Sequence, residues 1–123
     1  MPIQYRRTKN SSLRTWTTMK DRSEIVKQIK ETLQRVAPTA QSFMYGSQAR
    51  GDFRPDSDID LLIIVDEDRL SIKEEQQITI PLYEIEMETG VPISAMIVLK
   101  KNWKKRPFKT PFQINIMNEG IVL

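Results

Sequence analysis

FMYGSQARGDFRPDSDIDLLIIVD, residues Phe43 to Asp66, is the stretch on which the fold turns. A short apolar run ends at Gly46-Ser47. A polar stretch with Arg50, Gly51, Asp52, Pro55 and Asp56 follows, and Ser57-Asp58-Ile59-Asp60 leads into Leu61-Leu62-Ile63-Ile64-Val65. The second apolar run consists of β-branched residues and leucine and is bounded by charge, which predicts a strand. Its lack of alternation predicts cover on both faces. Asp58 and Asp60 stand two residues apart at the mouth of this strand, so strand periodicity turns both carboxylates to one face and Ile59 and Leu61 to the other. Two carboxylates held this close repel each other and raise a pKa unless a cation lies between them. Mg²⁺ suits such a pair, because it takes a few carboxylates and fills its shell with water and substrate phosphates.

The segment upstream supplies the other half of such a site. If Ser47 begins a helix, free backbone N–H groups and its hydroxyl face an anion, and Gly46 lets a phosphate approach with no Cβ in the way. Arg50, about one turn on, either positions a phosphate or braces the loop. The glycine spacing fits neither a Walker loop nor a dinucleotide fingerprint. Each piece has a plainer reading, since aspartates end loops and Gly-Ser marks turns. It is the ordered combination that points to a metal–triphosphate site.

Gly46-Ser47-Gln48-Ala49-Arg50-Gly51-Asp52, followed by Ser57-Asp58-Ile59-Asp60-Leu61, resembles the signature of the minimal nucleotidyltransferases, a small branch of the polymerase-beta-like superfamily. The resemblance implies an α/β (α+β) fold, a small mixed β-sheet with helices packed on it. It implies Asp58 and Asp60 as catalytic, metal-holding carboxylates and Gly46, Ser47 and Arg50 as nucleotide-binding residues. One or two Mg²⁺ ions and ATP as substrate go with them. Family members are often encoded beside a helical HEPN-type partner, and some transfer AMP from ATP onto a tyrosine of that partner, silencing its ribonuclease activity. In the family a third carboxylate on the next strand points at the same metals, and here that place holds Ser94. Serine is a poor Mg²⁺ ligand beside a carboxylate, and the third carboxylate is expected to activate the attacking hydroxyl. Glu88 is the nearest upstream acid that could substitute. Two functions are therefore expected of the chain. One is transfer of a nucleoside monophosphate onto a hydroxyl of a HEPN-type partner. The other is an impaired nucleotidyltransferase-fold module that masks a helical partner without modifying it.

The composition bounds the rest. A chain of 123 residues has room for one core. With no cysteine and no histidine, disulfides, Cys/His zinc sites and a histidine base are excluded. No apolar stretch approaches membrane-spanning length and the N-terminus lacks a secretory pattern, so a cytoplasmic location is expected. The net charge of +3 is concentrated at the two ends. The lysine-rich stretch Lys100 to Lys109 has little aromatic interleaving, which makes a solvated face the better reading than a nucleic-acid surface. Homo- or hetero-oligomerisation is left open.

Along the chain, residues 1–20 read as a basic, flexible arm with Trp16 as its one anchor, and 21–123 as the domain. Asp21 and Glu24 predict a capping box opening a helix with an Ile25-Ile29-Leu33-Val36 stripe. Gln41 to Tyr45 predicts the first strand. Ser71 and Glu74 predict a second capped helix, kinked or split at Pro81 and ended by Gly90. Glu84, Glu86 and Glu88 read as a solvated acidic face. Pro92 to Leu99 is the third strand, Lys100 to Lys105 a short helix, and Phe112, Ile116 and Met117 mark a final helix before an apolar end.

Overall fold

The computed structural model describes residues 21–104 and 110–123. The expected N-terminal arm, including Trp16, and the tail residues Lys105, Arg106, Pro107, Phe108 and Lys109 lie outside them. The elements are α1 (Arg22–Val36), β1 (Gln41–Tyr45), α2 (Gly46–Arg50), β2 (Ile59–Val65), α3 (Ile72–Thr89), β3 (Ile93–Leu99), α4 (Lys100–Lys104), α5 (Pro111–Glu119) and β4 (Ile121–Val122). They form a four-stranded sheet in the order β3-β2-β1-β4. β1 runs antiparallel to both β2 and β4, while β2 and β3 are parallel, so the sheet is mixed. The parallel pair needs a crossover between its strands, and α3 supplies it.

β2 is the centre of the core. Ile59, Leu61, Ile63 and Val65 pack on one face against Ile25, Ile29 and Leu33 of α1 and Ile78, Leu82 and Ile85 of α3. On the other face Leu62 and Ile64 meet Ile116 of α5, with Phe43, Tyr45, Val98, Trp103 and Phe112 around them. Both faces are covered, as the unbroken apolar run predicts. Only Asp60 interrupts the second face, at the open end of the strand.

The helix ends follow their sequence signals with three differences. Asp21 caps α1 through the Ser23 N–H at 3.0 Å, not through the reciprocal box expected with Glu24. Ser71 and Glu74 do form the full box at α3. α3 then runs unbroken through Pro81, so it is not two shorter helices. The carbonyl that Pro81 leaves without a partner belongs to Gln77, an exposed residue, while Ile78, Leu82 and Ile85 fix the helix to the sheet on either side. The third difference is Glu86. It is half-buried rather than solvated, and its Oε1 accepts the Ile93 N–H at 2.8 Å at the start of the edge strand β3.

The apolar end is a strand. Ile121 and Val122 pair with Met44 and Phe43, and Leu123 N–H donates to Ser42 O at 2.9 Å. Before it, Thr110 and Gln113 box the start of α5, and Gln113 Nε2 donates to Trp103 O at 2.9 Å, which ties α5 to α4. Ile63 is wholly buried. We expect Ile63→Ala to lower the unfolding free energy by about 2–5 kcal/mol, read as a drop in denaturation midpoint at constant slope. Truncating the exposed Met96 to alanine should change it by less than about 0.5 kcal/mol.

Candidate functional site

The site is built where β1 ends beside β2. In the antiparallel register Tyr45 lies opposite Asp60. Gly46 therefore begins the next element directly against the Asp60 carboxylate. Its φ is +77°, and a Cβ there would fall on Asp60 Oδ2. Glycine is required both by the backbone angle and by the carboxylate it admits. α2 starts at this residue and carries Ser47, Gln48 and Arg50. Gly51, also at positive φ, ends it, with its N–H donating to Ser47 O at 2.9 Å. The turn Arg54–Ser57 then carries the chain to β2. It is closed by Ser57 N–H donating to Arg54 O at 2.9 Å and by Arg54 N–H donating to Ser57 Oγ at 2.8 Å.

The two carboxylates meet as the spacing predicts. Asp58 is exposed just before β2, and Asp60 is half-buried as the second residue of the strand. Burial pushes the Asp60 carboxyl above its ordinary value, the charge of Asp58 pushes it further, and Arg50 pulls the other way. The Tyr45 hydroxyl is likewise raised, by burial and then by Asp60. On the other side, the parallel register sets Ser94 directly beside Asp60 on β3, exposed to solvent. Asp60 is thus flanked by Tyr45 and Ser94 on the two neighbouring strands.

Not every expected residue joins this group. Arg50 is turned toward Asp52 and Glu119, with nitrogen–oxygen distances of 3.4 and 3.6 Å, and all three side chains are well exposed. It both braces the loop and remains within electrostatic reach of Asp60. Glu88 is not brought to the acids. It accepts a long hydrogen bond of 3.4 Å from Gln28 of α1, and α3 covers the sheet face opposite to Asp60. An open groove of about 590 Å³, lined by Arg35, Val36, Gln76 and Ile80 among others, lies at the far end of α1 from the acidic pair.

Arg22 was not among the expected site residues. From the first turn of α1 its guanidinium donates to Gln48 Oε1 at 2.7 Å, Pro55 O at 3.2 Å and Ser57 O at 2.5 Å. Its Cζ also lies 5.0 Å from the centre of the Phe53 ring. Burial lowers its pKa, and Asp58 works against that shift. The signal for it was present at Asp21-Arg22, because a cation in the first turn of a helix opposes the helix dipole and calls for another partner.

As a cation site the arrangement offers hard oxygen donors, the two carboxylates with the Ser94 hydroxyl beside them, which is the donor type that Mg²⁺ takes. Burial is the larger cause of the raised Asp60 pKa, and a divalent ion would relieve the smaller part that comes from the charge of Asp58. Among the described residues no cluster of three or more acidic, histidine or cysteine side chains is assembled for a metal. Ser94, in register with Asp60, stands where a third carboxylate is expected from the resemblance.

Comparison with known proteins agrees with this geometry. The model of the nucleotidyltransferase domain matches residues 26–123. A protein of Methanocaldococcus jannaschii named "Putative protein adenylyltransferase" is 30% identical over 100 residues, covering 80% of this chain and 94% of that one. A solved structure described as a "putative minimal nucleotidyltransferase" superposes with a TM-score of 0.58 at 22% identity, over 85% of this chain and 98% of the other, a likeness of fold. A structure described as a "putative nucleotidyltransferase from Sulfolobus solfataricus" gives a TM-score of 0.49 at 15% identity over 86% of this chain and 85% of that one. With the glycine-serine turn, the paired aspartates and the mixed sheet in place, the chain belongs to the nucleotidyltransferase domain family, within the polymerase-beta-like superfamily.

Proposed function

We propose that the chain is a Mg²⁺-dependent nucleotidyltransferase that moves AMP from ATP onto a hydroxyl of a partner protein, a helical protein of the HEPN type. The observation that carries this reading is the Asp60 carboxylate set directly against the turn at Gly46, with Asp58 near enough for its charge to act on Asp60. The name carried by the Methanocaldococcus relative supports a protein as acceptor and an adenylyl group as the cargo. Residues 21–123 are the unit proposed to do this work.

Asp58 and Asp60 would hold the metal, and a bound Mg²⁺ would neutralise charge on the triphosphate. Gly46 leaves room for a phosphate oxygen, and the Ser47 hydroxyl and neighbouring backbone N–H groups are donors to it. Arg50 adds positive charge at the rim. The acceptor hydroxyl oxygen forms a bond to the α-phosphorus as the bond to the bridging oxygen breaks and pyrophosphate leaves. The hydroxyl proton passes to solvent water, since Ser94, exposed beside Asp60, cannot serve as the base. In this reading the acceptor docks against the solvent-open side of Asp60, where Ser94 is exposed beside it.

The second reading, a module that binds nucleotide and masks its partner without modifying it, is favoured by Ser94 in register with Asp60. Introducing a carboxylate separates the two. If transfer is the function and is limited by proton removal, Ser94→Asp should raise the rate of labelling from α-labelled ATP about a hundredfold. If masking is the function, Asp60→Asn leaves partner binding, and its effect on the partner, unchanged.

Calorimetry of ATP binding with and without Mg²⁺ tests the site itself. We expect binding that requires Mg²⁺ in the wild type and weakens at least about tenfold in Asp60→Asn, through loss of one charged metal ligand. The absence of Mg²⁺-dependent binding of any nucleoside triphosphate would refute the enzymatic reading.

The raised Asp60 pKa sets a stability prediction as well. The folded chain holds this proton more tightly than the unfolded chain, so folded-state stability falls as pH rises from the unfolded carboxylate range through the folded value. The deficit is full above the folded value and absent below the unfolded one. In Mg²⁺-free buffer Asp60→Asn should therefore melt higher than wild type at pH 7, with the gap closing as both are taken below the carboxylate range. Added Mg²⁺ should stabilise the wild type and not the variant.

A further inference from the structure

Two segments must keep a fixed spacing for the proposed site to work, and they are far apart in sequence order from the residue that joins them. α2 carries the phosphate-side groups Gly46 and Ser47, and the turn Arg54–Ser57 delivers Asp58. The strand pairing fixes Tyr45 and Asp60, but residues 51–58 form a loop whose side chains are mostly exposed. One side chain from outside the loop bonds both segments. Arg22 grips Gln48 on α2 and the carbonyls of Pro55 and Ser57 on the turn, and its guanidinium lies against the Phe53 ring between them. Ser57 O belongs to the peptide that enters Asp58.

We propose that Arg22 is a positioning residue, a clamp that holds the loop bearing Asp58 at a set distance from the turn at Gly46-Ser47. The inference rests on the proposed nucleotide reaction for its purpose, though not for its geometry. The planar fork of the guanidinium is what allows three acceptors in different directions to be met at once. An ammonium can supply the charge but not the same fork, nor a flat surface for Phe53. This distinction makes the clamp separable from simple electrostatics. If Arg22 acted only as a positive charge beside Asp58, it would compete with a bound cation, and its removal would tighten Mg²⁺ binding. As a clamp, its loss loosens binding in spite of the charge removed.

The test uses the full chain with Arg22→Lys and Arg22→Met, and Gln48→Ala as a milder variant that takes away one acceptor. The first readout needs no nucleotide. Hydrogen exchange at the Ser57 amide, which donates to Arg54 O, should rise about tenfold in both Arg22 variants and less in Gln48→Ala, while exchange in β1 and β2 stays at the wild-type level. The second is calorimetry of ATP with Mg²⁺, in which Arg22→Lys should weaken binding about tenfold and nearly as much as Arg22→Met. Unchanged Ser57 exchange in both Arg22 variants would overturn the clamp, as would full retention of affinity in Arg22→Lys or faster exchange spread evenly over the sheet. Should the wild type bind no nucleotide at all, the proposed reaction fails, and selective loosening of Ser57 still supports the clamp.

Discussion

The Asp60 carboxylate and the absent side chain of Gly46 occupy the same small volume, and the rest of the site depends on that exclusion. Register places Tyr45 beside Asp60, so the chain leaving β1 must pass over a half-buried carboxylate. It can do so only without a Cβ and at a positive φ. From there α2 starts at once, with Ser47 next in the chain after the glycine that meets Asp60. A residue of any other kind at position 46 would displace Asp60, α2, or both.

The acids are themselves held by the least negotiable part of the core. β2 is buried on both faces from Leu61 to Val65, with α1 and α3 on one side and α5 on the other. Every methylene of that strand is engaged, so its alternation cannot slip without turning Asp60 into the helix-covered layer. Burial therefore does two things in this fold. It provides the cohesion of the sheet, and it raises the energy of a charged Asp60 enough that a counter-ion becomes useful. The strand on which Asp60 stands disfavours its charged form by burial, and Arg50 works against that shift.

Much of this was legible in the sequence because the signals were local. The run Leu61 to Val65, the pair Asp58 and Asp60, the glycine at 46 and the cap at Ser71 each state their structure within a few residues. What could not be read depends on distant partners. Pro81 looks like a helix break until Ile78, Leu82 and Ile85 are seen pinned to the sheet, and Glu86 looks solvated until β3 presents an N–H to it. Ile121-Val122 is too short to declare itself a strand without β1 alongside. Glu88 was proposed for the acidic group from nearness in sequence, but the helix carries it to the other layer. Arg22 is the instructive omission. A cation in the first turn of α1 is locally unfavourable, and the reason for it lies in residues 48, 55 and 57.

The loop between β1 and β2 also has a place in how the chain folds. These two strands are antiparallel neighbours, yet the connection between them spans α2 and the turn before Asp58 instead of a tight hairpin turn. Closing a connection of this length costs entropy before any strand pairing repays it. Residues that order the connection reduce that cost, and if they do so before the sheet is complete they speed folding as well as hold the final geometry. On that condition the segment is a kinetic element too, and sequence change within it bears on the rate at which the sheet assembles.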